Sequence, residues 1–222
     1  AMWPRVCSVS GALDLFLQKK GAFYQNKSHW TKNPMAHIVP HWNFKGLEGR
    51  EIPVTVYTNC EELELFLNGK PLGKRQIEKY GHGEWSVEYI PGTLEVKGYI
   101  GGKEVCCDKR VTTGRPAALK LTQDNDFTAN GSDIALFTCE CVDENGLAVP
   151  DAAEYVRFSV SAPAKIIGTG SDNCDHNNAA NTDRKMYMGK IRVAVKPKKG
   201  QESFTLTAMS DNCGVCELKV VL

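Results

Sequence analysis

Residues 64–73 have the sequence ELFLNGKPLG, and this stretch is the strongest short-range structural signal in the chain. Leucines at every second position alternate here with Glu64 and Phe66, which is the period of a half-buried β-strand. Asn68-Gly69 follows at once, and both residues tolerate the positive φ of a two-residue hairpin turn. The pattern predicts a β-hairpin with three leucines on one face: Leu63, Leu65 and Leu67.

The segments on both sides of the hairpin continue this strand pattern. Short apolar-rich runs alternate with Gly-containing turns, and no helical period lies between them. The predicted strands occupy residues 52–57, 85–89, 94–100 and 104–112. Short strands joined by turns indicate an antiparallel sandwich, so we predict a small immunoglobulin-like β-sandwich over residues 46–112.

Gly114-Arg115-Pro116 resembles a linker, and the strand pattern restarts after it. The further predicted strands occupy residues 118–122, 134–142, 156–160, 191–195, 204–209 and 217–222. In the second of these, Phe137, Cys139 and Cys141 share one face. We predict a terminal immunoglobulin-like β-sandwich over residues 113–222. The fold class is therefore all-β, with two consecutive antiparallel sandwiches.

The first 45 residues follow a different pattern. Apolar residues between Leu13 and Tyr24 predict a short, partly amphipathic helix that resumes over residues 21–28. The segment has too few elements for a domain. Three of the four tryptophans lie in it without an obvious core to fill: Trp3, Trp30 and Trp42.

Composition excludes several classes of partner. The 222 residues carry a net charge of +1, which gives no electrostatic reason to expect binding to nucleic acid or to an anionic membrane. No apolar run approaches the roughly 18–20 residues of a transmembrane helix. We expect neither a nucleic-acid nor a membrane partner, and no cofactor.

Nine cysteines are an odd number and cannot all pair within the chain. Scattered thiols of this kind favour a reducing compartment, so a cytoplasmic location is expected. Cys213 and Cys216 have the spacing of half a zinc or redox site, and Cys139 and Cys141 could supply the other half. Buried, inert thiols explain the strand cysteines more simply, so we predict no metal site.

The polar segment 168–183 invites comparison with a calcium-binding loop. Counted from Asn173, the sixth residue is Asn178 where glycine is needed, and the twelfth is Arg184 where glutamate is needed. The pattern fails at both positions. A solvated surface loop is the better prediction.

Three stretches resemble family 2 glycoside hydrolases of the β-galactosidase type. Residues 24–30 (YQNKSHW) and 34–43 (PMAHIVPHWN) are similar to the exit from the catalytic barrel of that family. Residues 54–59 (VTVYTN), followed by ELFLNGKPLG, resemble the small β-domain after the barrel in gut-bacterial members. GRPAA at residues 114–118 and DENG at residues 143–146 resemble their terminal bacterial Ig-like domain.

This resemblance implies that residues 1–45 are a remnant of the end of the catalytic barrel and a linker. A retaining glycosidase needs two carboxylic acids about 5 Å apart, which in this family lie in the barrel. The resemblance therefore implies no catalytic residue in this chain. It implies a bacterial parent that is a retaining β-galactosidase or β-glucuronidase. The implied partner is the upstream barrel of the same polypeptide.

Two other functions remain open. In a carbohydrate-binding module, exposed aromatic rings would stack on an oligosaccharide, and the candidate contacts are Trp30, Trp42 and Trp85. A cell-surface adhesion array of Ig-like domains is the second alternative. The barrel-like N-terminal segment argues against adhesion, because an adhesin repeat would not begin with a barrel exit.

Overall fold

The structure, a computed structural model, describes residues 10–14, 16–171 and 177–222. The described residues form two compact units, Ser10–Thr112 and Thr113–Leu222. They contain one helix and fifteen strands, and the strands form antiparallel sheets. The predicted all-β class is confirmed. Within these ranges, no helical segment has the length and apolar character of a membrane span.

The first unit contains the helix and seven strands. These are α1 (Gly21–Trp30), β1 (Ala36–Val39), β2 (Glu51–Thr58), β3 (Glu62–Leu67), β4 (Lys70–Gln76), β5 (His82–Glu88), β6 (Thr93–Ile100) and β7 (Lys103–Val111). One sheet has the order β1-β2-β5 and the other β4-β3-β6-β7. Because β1 pairs with β2, residues 36–39 are part of the first sandwich rather than only a linker.

The predicted hairpin is β3–β4. Asn68 and Gly69 both have positive φ, 51° and 79°, as a two-residue hairpin turn requires. The Asn68 side chain also accepts a hydrogen bond from the Thr93 N–H at 2.7 Å and donates to the Pro91 carbonyl at 3.1 Å. The turn therefore also fixes the start of β6.

The first core lies between the two sheets of this unit. The leucines of β3 are buried against apolar residues of β2 and β5, which alternate along each strand. The predicted buried face of Leu63, Leu65 and Leu67 is confirmed. Burial on alternate positions of β2, β3, β5 and β6 encloses the core from both sides.

The helix begins later than the sequence predicts. Leu13 forms an isolated bridge with Lys19, and the Asp14 carboxylate accepts hydrogen bonds from the backbone N–H groups of Phe16 and Gln18. This turn occupies the residues where the helix was expected to start, so α1 begins only at Gly21. The side chain of Asp14 satisfies backbone donors that a helix would otherwise use. Leu15 and Trp3 lie outside the described residues.

The second unit contains eight strands. These are β8 (Ala118–Gln123), β9 (Ala135–Val142), β10 (Tyr155–Val160), β11 (Lys165–Gly170), β12 (Asp183–Lys185), β13 (Lys190–Lys196), β14 (Ser203–Ser210) and β15 (Gly214–Val221). The sheets have the orders β11-β13-β9-β8 and β12-β10-β14-β15. This is a second antiparallel sandwich, as predicted.

The core of the second sandwich is centred on β9. Phe137, Cys139 and Cys141 are fully buried there, which confirms the predicted face. Phe137 meets Phe204 of β14 edge to face, with ring centroids 6.0 Å apart. An aromatic pair in this geometry holds the two sheets together across the core.

Asp143 fixes the beginning of this unit. Its carboxylate accepts hydrogen bonds from the N–H of Gly114 at 2.8 Å and from those of Asn145 and Leu147 at 2.9 Å. These bonds, that of Gly114 first, lower the pKa of Asp143. The predicted linker is thus anchored at its first residue.

The polar segment after β11 returns to that strand. Arg184 is buried and donates from Nη2 to the carbonyl of Thr169 at 2.9 Å and to that of Asn178 at 2.9 Å. Residues 177–182 are exposed, as expected of a surface loop. Residues 172–176, part of the rejected calcium pattern, lie outside the described residues.

Candidate functional site

The three tryptophans proposed for carbohydrate contact lie in different environments. Trp30, at the end of α1, is 80% exposed. Trp42 is 0% exposed and Trp85 is 6% exposed. Stacking on a sugar requires an accessible ring face, so only Trp30 remains a candidate.

Trp42 is a core residue, and the predicted sugar contact is wrong for it. Its indole N–H donates to the carbonyl of Ile90 at 3.0 Å, and its ring meets Tyr89 at a centroid distance of 5.2 Å. Its own carbonyl accepts a hydrogen bond from Thr112 at 2.6 Å. Trp42 therefore attaches the segment after β1 to the first sandwich.

Trp85 is also unavailable to a ligand. It lies on β5 among the buried residues of the first core. Its ring covers Gly83 so closely that a Cβ at that glycine would lie 2.5 Å from a ring carbon. Arg75 lies 5.7 Å from the ring centroid. Trp85 alternates with Val87 along β5, and both side chains are buried.

Four residues at the end of α1 and in the turn before β5 define what we call the helix-end surface: His29, Trp30, Lys79 and Tyr80. His29 Nε2 lies 3.1 Å from the carbonyl oxygen of Tyr80, and the two rings meet at 5.4 Å. Tyr80 is 62% exposed, and the Lys79 ammonium lies 5.0 Å from its ring centroid. Trp30 at the helix end and Tyr80 in the turn before β5 are therefore both exposed, and the His29–Tyr80 contact connects the two segments.

The helix is held to the sandwich by a polar cluster. Tyr24 stacks on His37 with ring centroids 3.3 Å apart and nearly parallel planes. Arg110 Nη2 donates to a ring nitrogen of His37 at 3.1 Å and to the Ile38 carbonyl at 2.7 Å. Arg110 also pairs with Asp108 at 3.0 Å. The cluster joins α1 and β1 to β7.

His37 is neutral in this cluster. Burial, and then the nearby guanidinium of Arg110, lower its pKa to about 4, although Asp108 acts in the opposite direction. A neutral imidazole can accept the hydrogen bond that Arg110 donates. Nothing in the sequence indicated this cluster, because His37 and Arg110 are separated by 73 positions.

The acidic residues of β3 make cross-strand contacts. Glu62 pairs with Lys74 of β4 at 2.7 Å and accepts a hydrogen bond from Gln76. Glu64 accepts a hydrogen bond from the Tyr99 hydroxyl at 3.1 Å. Contacts of this kind support a sheet, which gives both carboxylates a structural role.

Cysteines of the second unit lie close together in the part that the structure describes. The Sγ atoms of Cys141 and Cys213 are 3.7 Å apart, and the nearby Cys216 contributes to the raised pKa of Cys139. Burial raises the pKa of Cys139 and raises that of Cys141 to about 12. Among residues 10–14, 16–171 and 177–222, no three potential ligands are placed to hold a metal ion.

Two family models match the chain. Residues 49–106 match the model "Domain of unknown function (DUF4982)". Residues 119–219 match "Glycoside hydrolase family 2 C-terminal domain 5". The first match lies within the first sandwich and the second within the other.

Curated relatives agree with these matches. The chain is 35% identical over 222 residues to the β-galactosidase BoGH2A of Bacteroides ovatus, covering 98% of this chain and 26% of that protein. It is 33% identical over 222 residues to a β-glucuronidase of Formosa agariphila, covering 98% of this chain and 22% of the relative. The chain thus spans about a quarter of the length of these relatives.

Solved structures show the same fold. A β-glycosidase from Bacteroides vulgatus superimposes with a TM-score of 0.93 at 29% identity, over 99% of this chain and 29% of that one. A glycosyl hydrolase family 2 member from Bacteroides cellulosilyticus gives a TM-score of 0.89 at 30% identity, over 96% of this chain and 32% of that one. The two β-sandwiches of this chain therefore have the fold of the matched regions of these two structures. The chain belongs to the C-terminal region of glycoside hydrolase family 2.

Proposed function

We propose that this chain is the non-catalytic accessory region of a retaining family 2 glycosidase of the β-galactosidase or β-glucuronidase type. It would support the catalytic barrel that precedes it in the same polypeptide, or shape access to its active site. The observation that carries this proposal is the match of 98% of the chain to only 26% of β-galactosidase BoGH2A. The same match counts against an adhesion-type array.

The helix-end surface supports a contact with the upstream domain. Residues 24–30 resemble a barrel exit, and Trp30 at the end of this stretch is 80% exposed. Aromatic side chains are enriched at interaction surfaces relative to the rest of a protein surface. We therefore assign the helix-end surface to the contact with the barrel.

The test compares the isolated chain with the complete polypeptide on chromogenic β-galactosides and β-glucuronides. We expect turnover by the complete protein and none by the chain. Turnover by the chain that survives repurification and disappears on Glu62→Gln or Glu64→Gln would refute the proposal. An inactive complete protein would remove the glycosidase assignment and leave the fold unchanged.

Carbohydrate binding at Trp30 is a second candidate, and the exposure of its ring favours it. Calorimetry of the chain with oligosaccharides tests this function. A dissociation constant below about 1 mM that is lost in Trp30→Ala and kept in Tyr187→Ala would make it the better proposal. We expect no binding in this range, because Trp30 is the one member of the three proposed contacts that is accessible to a sugar.

A further inference from the structure

Two thiols of the first unit lie side by side. Cys60 lies in the turn between β2 and β3 and Cys106 lies on β7, and their Sγ atoms are 3.4 Å apart across 46 positions of sequence. Gly98 of β6 provides the space, because a Cβ at this position would lie 2.7 Å from each sulfur. A disulfide has an S–S distance of about 2.05 Å, so the sulfurs need to approach by only about 1.4 Å.

The surroundings of Cys60 favour its thiolate. The thiol of Cys106 can donate a hydrogen bond to the Cys60 sulfur, and this contact, with help from the Thr58 hydroxyl, lowers the pKa of Cys60 to about 6. The pKa of Cys106 is raised, because it keeps the proton beside that thiolate and is partly buried. A thiolate next to a protonated thiol combines a nucleophile with a resolving group.

One member of the pair is partly open to solvent. Cys106 lies on β7, at one end of the sheet order β4-β3-β6-β7, and is partly exposed. Cys60 is only 4% exposed, and its sulfur lies 3.4 Å from that of Cys106. A small peroxide is the oxidant that suits a pair with so little exposed surface.

We propose that Cys60 and Cys106 are a site of reversible disulfide formation driven by hydroperoxides. The Cys60 thiolate attacks one peroxide oxygen, the O–O bond breaks, and the released hydroxide takes up a proton, which leaves a sulfenic acid and water. Cys106 then attacks the sulfenic sulfur, its proton leaves with the hydroxyl group as a second water, and the S–S bond forms. Two thiols are oxidised and one hydrogen peroxide is reduced to two waters. The bond would tie the β2–β3 turn to β7.

A pair of neighbouring thiols in the second unit can be compared with the Cys60–Cys106 pair. Cys141 and Cys213 are also apposed, at 3.7 Å, but both are buried. Burial raises the pKa of Cys141 to about 12 and also raises that of Cys213. A protonated thiol is a poor nucleophile, so this pair should react at least about tenfold more slowly.

The experiment treats the fully reduced 222-residue chain with hydrogen peroxide at pH 7, followed by alkylation, trypsin digestion and mass spectrometry. We expect the peptide containing Cys60 to be linked to the peptide containing Cys106, with the loss of two hydrogens, and dithiothreitol to reverse the link. Cys106 and Cys107 share a tryptic peptide, so Cys107→Ser is the matched control and should keep the link. Cys60→Ser and Cys106→Ser should abolish it.

Three results would overturn the proposal. One is separate alkylation of Cys60 and Cys106 at a peroxide dose that already oxidises the exposed Cys107. The second is a Cys106–Cys107 link in place of the expected one. The third is formation of the Cys141–Cys213 link at an equal or greater rate. The unmutated chain decides all three, so the result does not depend on the folding of any variant.

Discussion

The first sandwich fills its core with two tryptophans and a tyrosine, whereas the second contains three buried cysteines among its apolar residues. Cysteine also occurs in the first unit, but there Cys60 contacts polar groups, and its pKa is lowered. In the second unit, burial raises the pKa of Cys139. The same residue type is therefore a small apolar side chain in one sandwich and a candidate nucleophile in the other. The local surroundings decide which.

The largest effect that tests this comparison is expected from Trp42→Ala. Removal of a fully buried indole leaves a cavity in the first core and an unpaired Ile90 carbonyl, so the first unit should lose about 3–5 kcal/mol. Hydrogen exchange during denaturant titration should show early loss of protection in β2, β3 and β6. Phe137→Ala is the matched change in the second core and should instead affect β9 and β13. Equal loss of protection in both units from either variant would contradict the separation of the cores.

The next largest effect is the difference in stability lost between two Cys→Ser substitutions. Cys139 is fully buried, and its pKa is raised by burial above all, so a serine hydroxyl there should cost about 1–3 kcal/mol. Cys60→Ser should cost less, because its hydroxyl can donate to the Met35 carbonyl, which lies 3.8 Å from the present sulfur. Chemical denaturation of both variants measures the difference. Cys107→Ser, at an exposed position, is the control and should change little.

The stability of the first unit should depend on pH through His37. Burial and Arg110 lower the pKa of His37 from 6.5 to about 4, so the unfolded chain binds more protons than the folded chain between these values. The stability contributed by neutral His37 is complete above pH 6.5 and is lost as the pH falls toward 4. Since solvent reaches part of the ring, the loss is expected to be about 2 kcal/mol.

Denaturation of the chain at a series of pH values between 7 and 4 measures this effect. The groups facing His37 are Tyr24, Lys27, Asp108 and Arg110. His37→Gln should flatten the pH dependence, whereas His82→Gln, at a more exposed ring, should leave it in place. An unchanged slope in His37→Gln would assign the dependence to other groups.

The sequence predicts the sheets well because their signals are local. Alternation over residues 63–67 and the Asn68-Gly69 turn indicate a strand, its buried face and its hairpin without reference to distant residues. The tryptophans show the limit of this reasoning. Trp30 and Trp42 lie in similar irregular sequence, yet one is exposed and the other forms the core, because distant residues such as Tyr89 decide their burial.

The two sulfur pairs were unpredictable for the same reason. The cysteine count indicates free thiols, but it does not show which sulfur atoms lie close to each other. Cys60 meets Cys106 only because β3, β6 and β7 are adjacent and Gly98 leaves room above β6. Sequence spacing drew attention to Cys213 and Cys216, whereas the pair that we propose to be redox-active is separated by 46 positions.

The smallest expected effect is that of Trp30→Ala, and it tests the proposed role of the helix-end surface. Trp30 is 80% exposed, so in the isolated chain the substitution removes little buried area and should change stability by less than about 0.5 kcal/mol. In the complete polypeptide the proposed contact with the barrel would bury the ring, and truncation of a buried aromatic anchor should cost about 2 kcal/mol or more. Thermal unfolding of the chain and of the complete protein, each with and without the substitution, measures the difference between the two costs.

Tyr187→Ala, at a half-exposed tyrosine of the second unit, is the control and should give equal, small costs in both contexts. Equal small costs for Trp30→Ala would instead place the barrel contact elsewhere, and the exposed indole would then remain available for a carbohydrate.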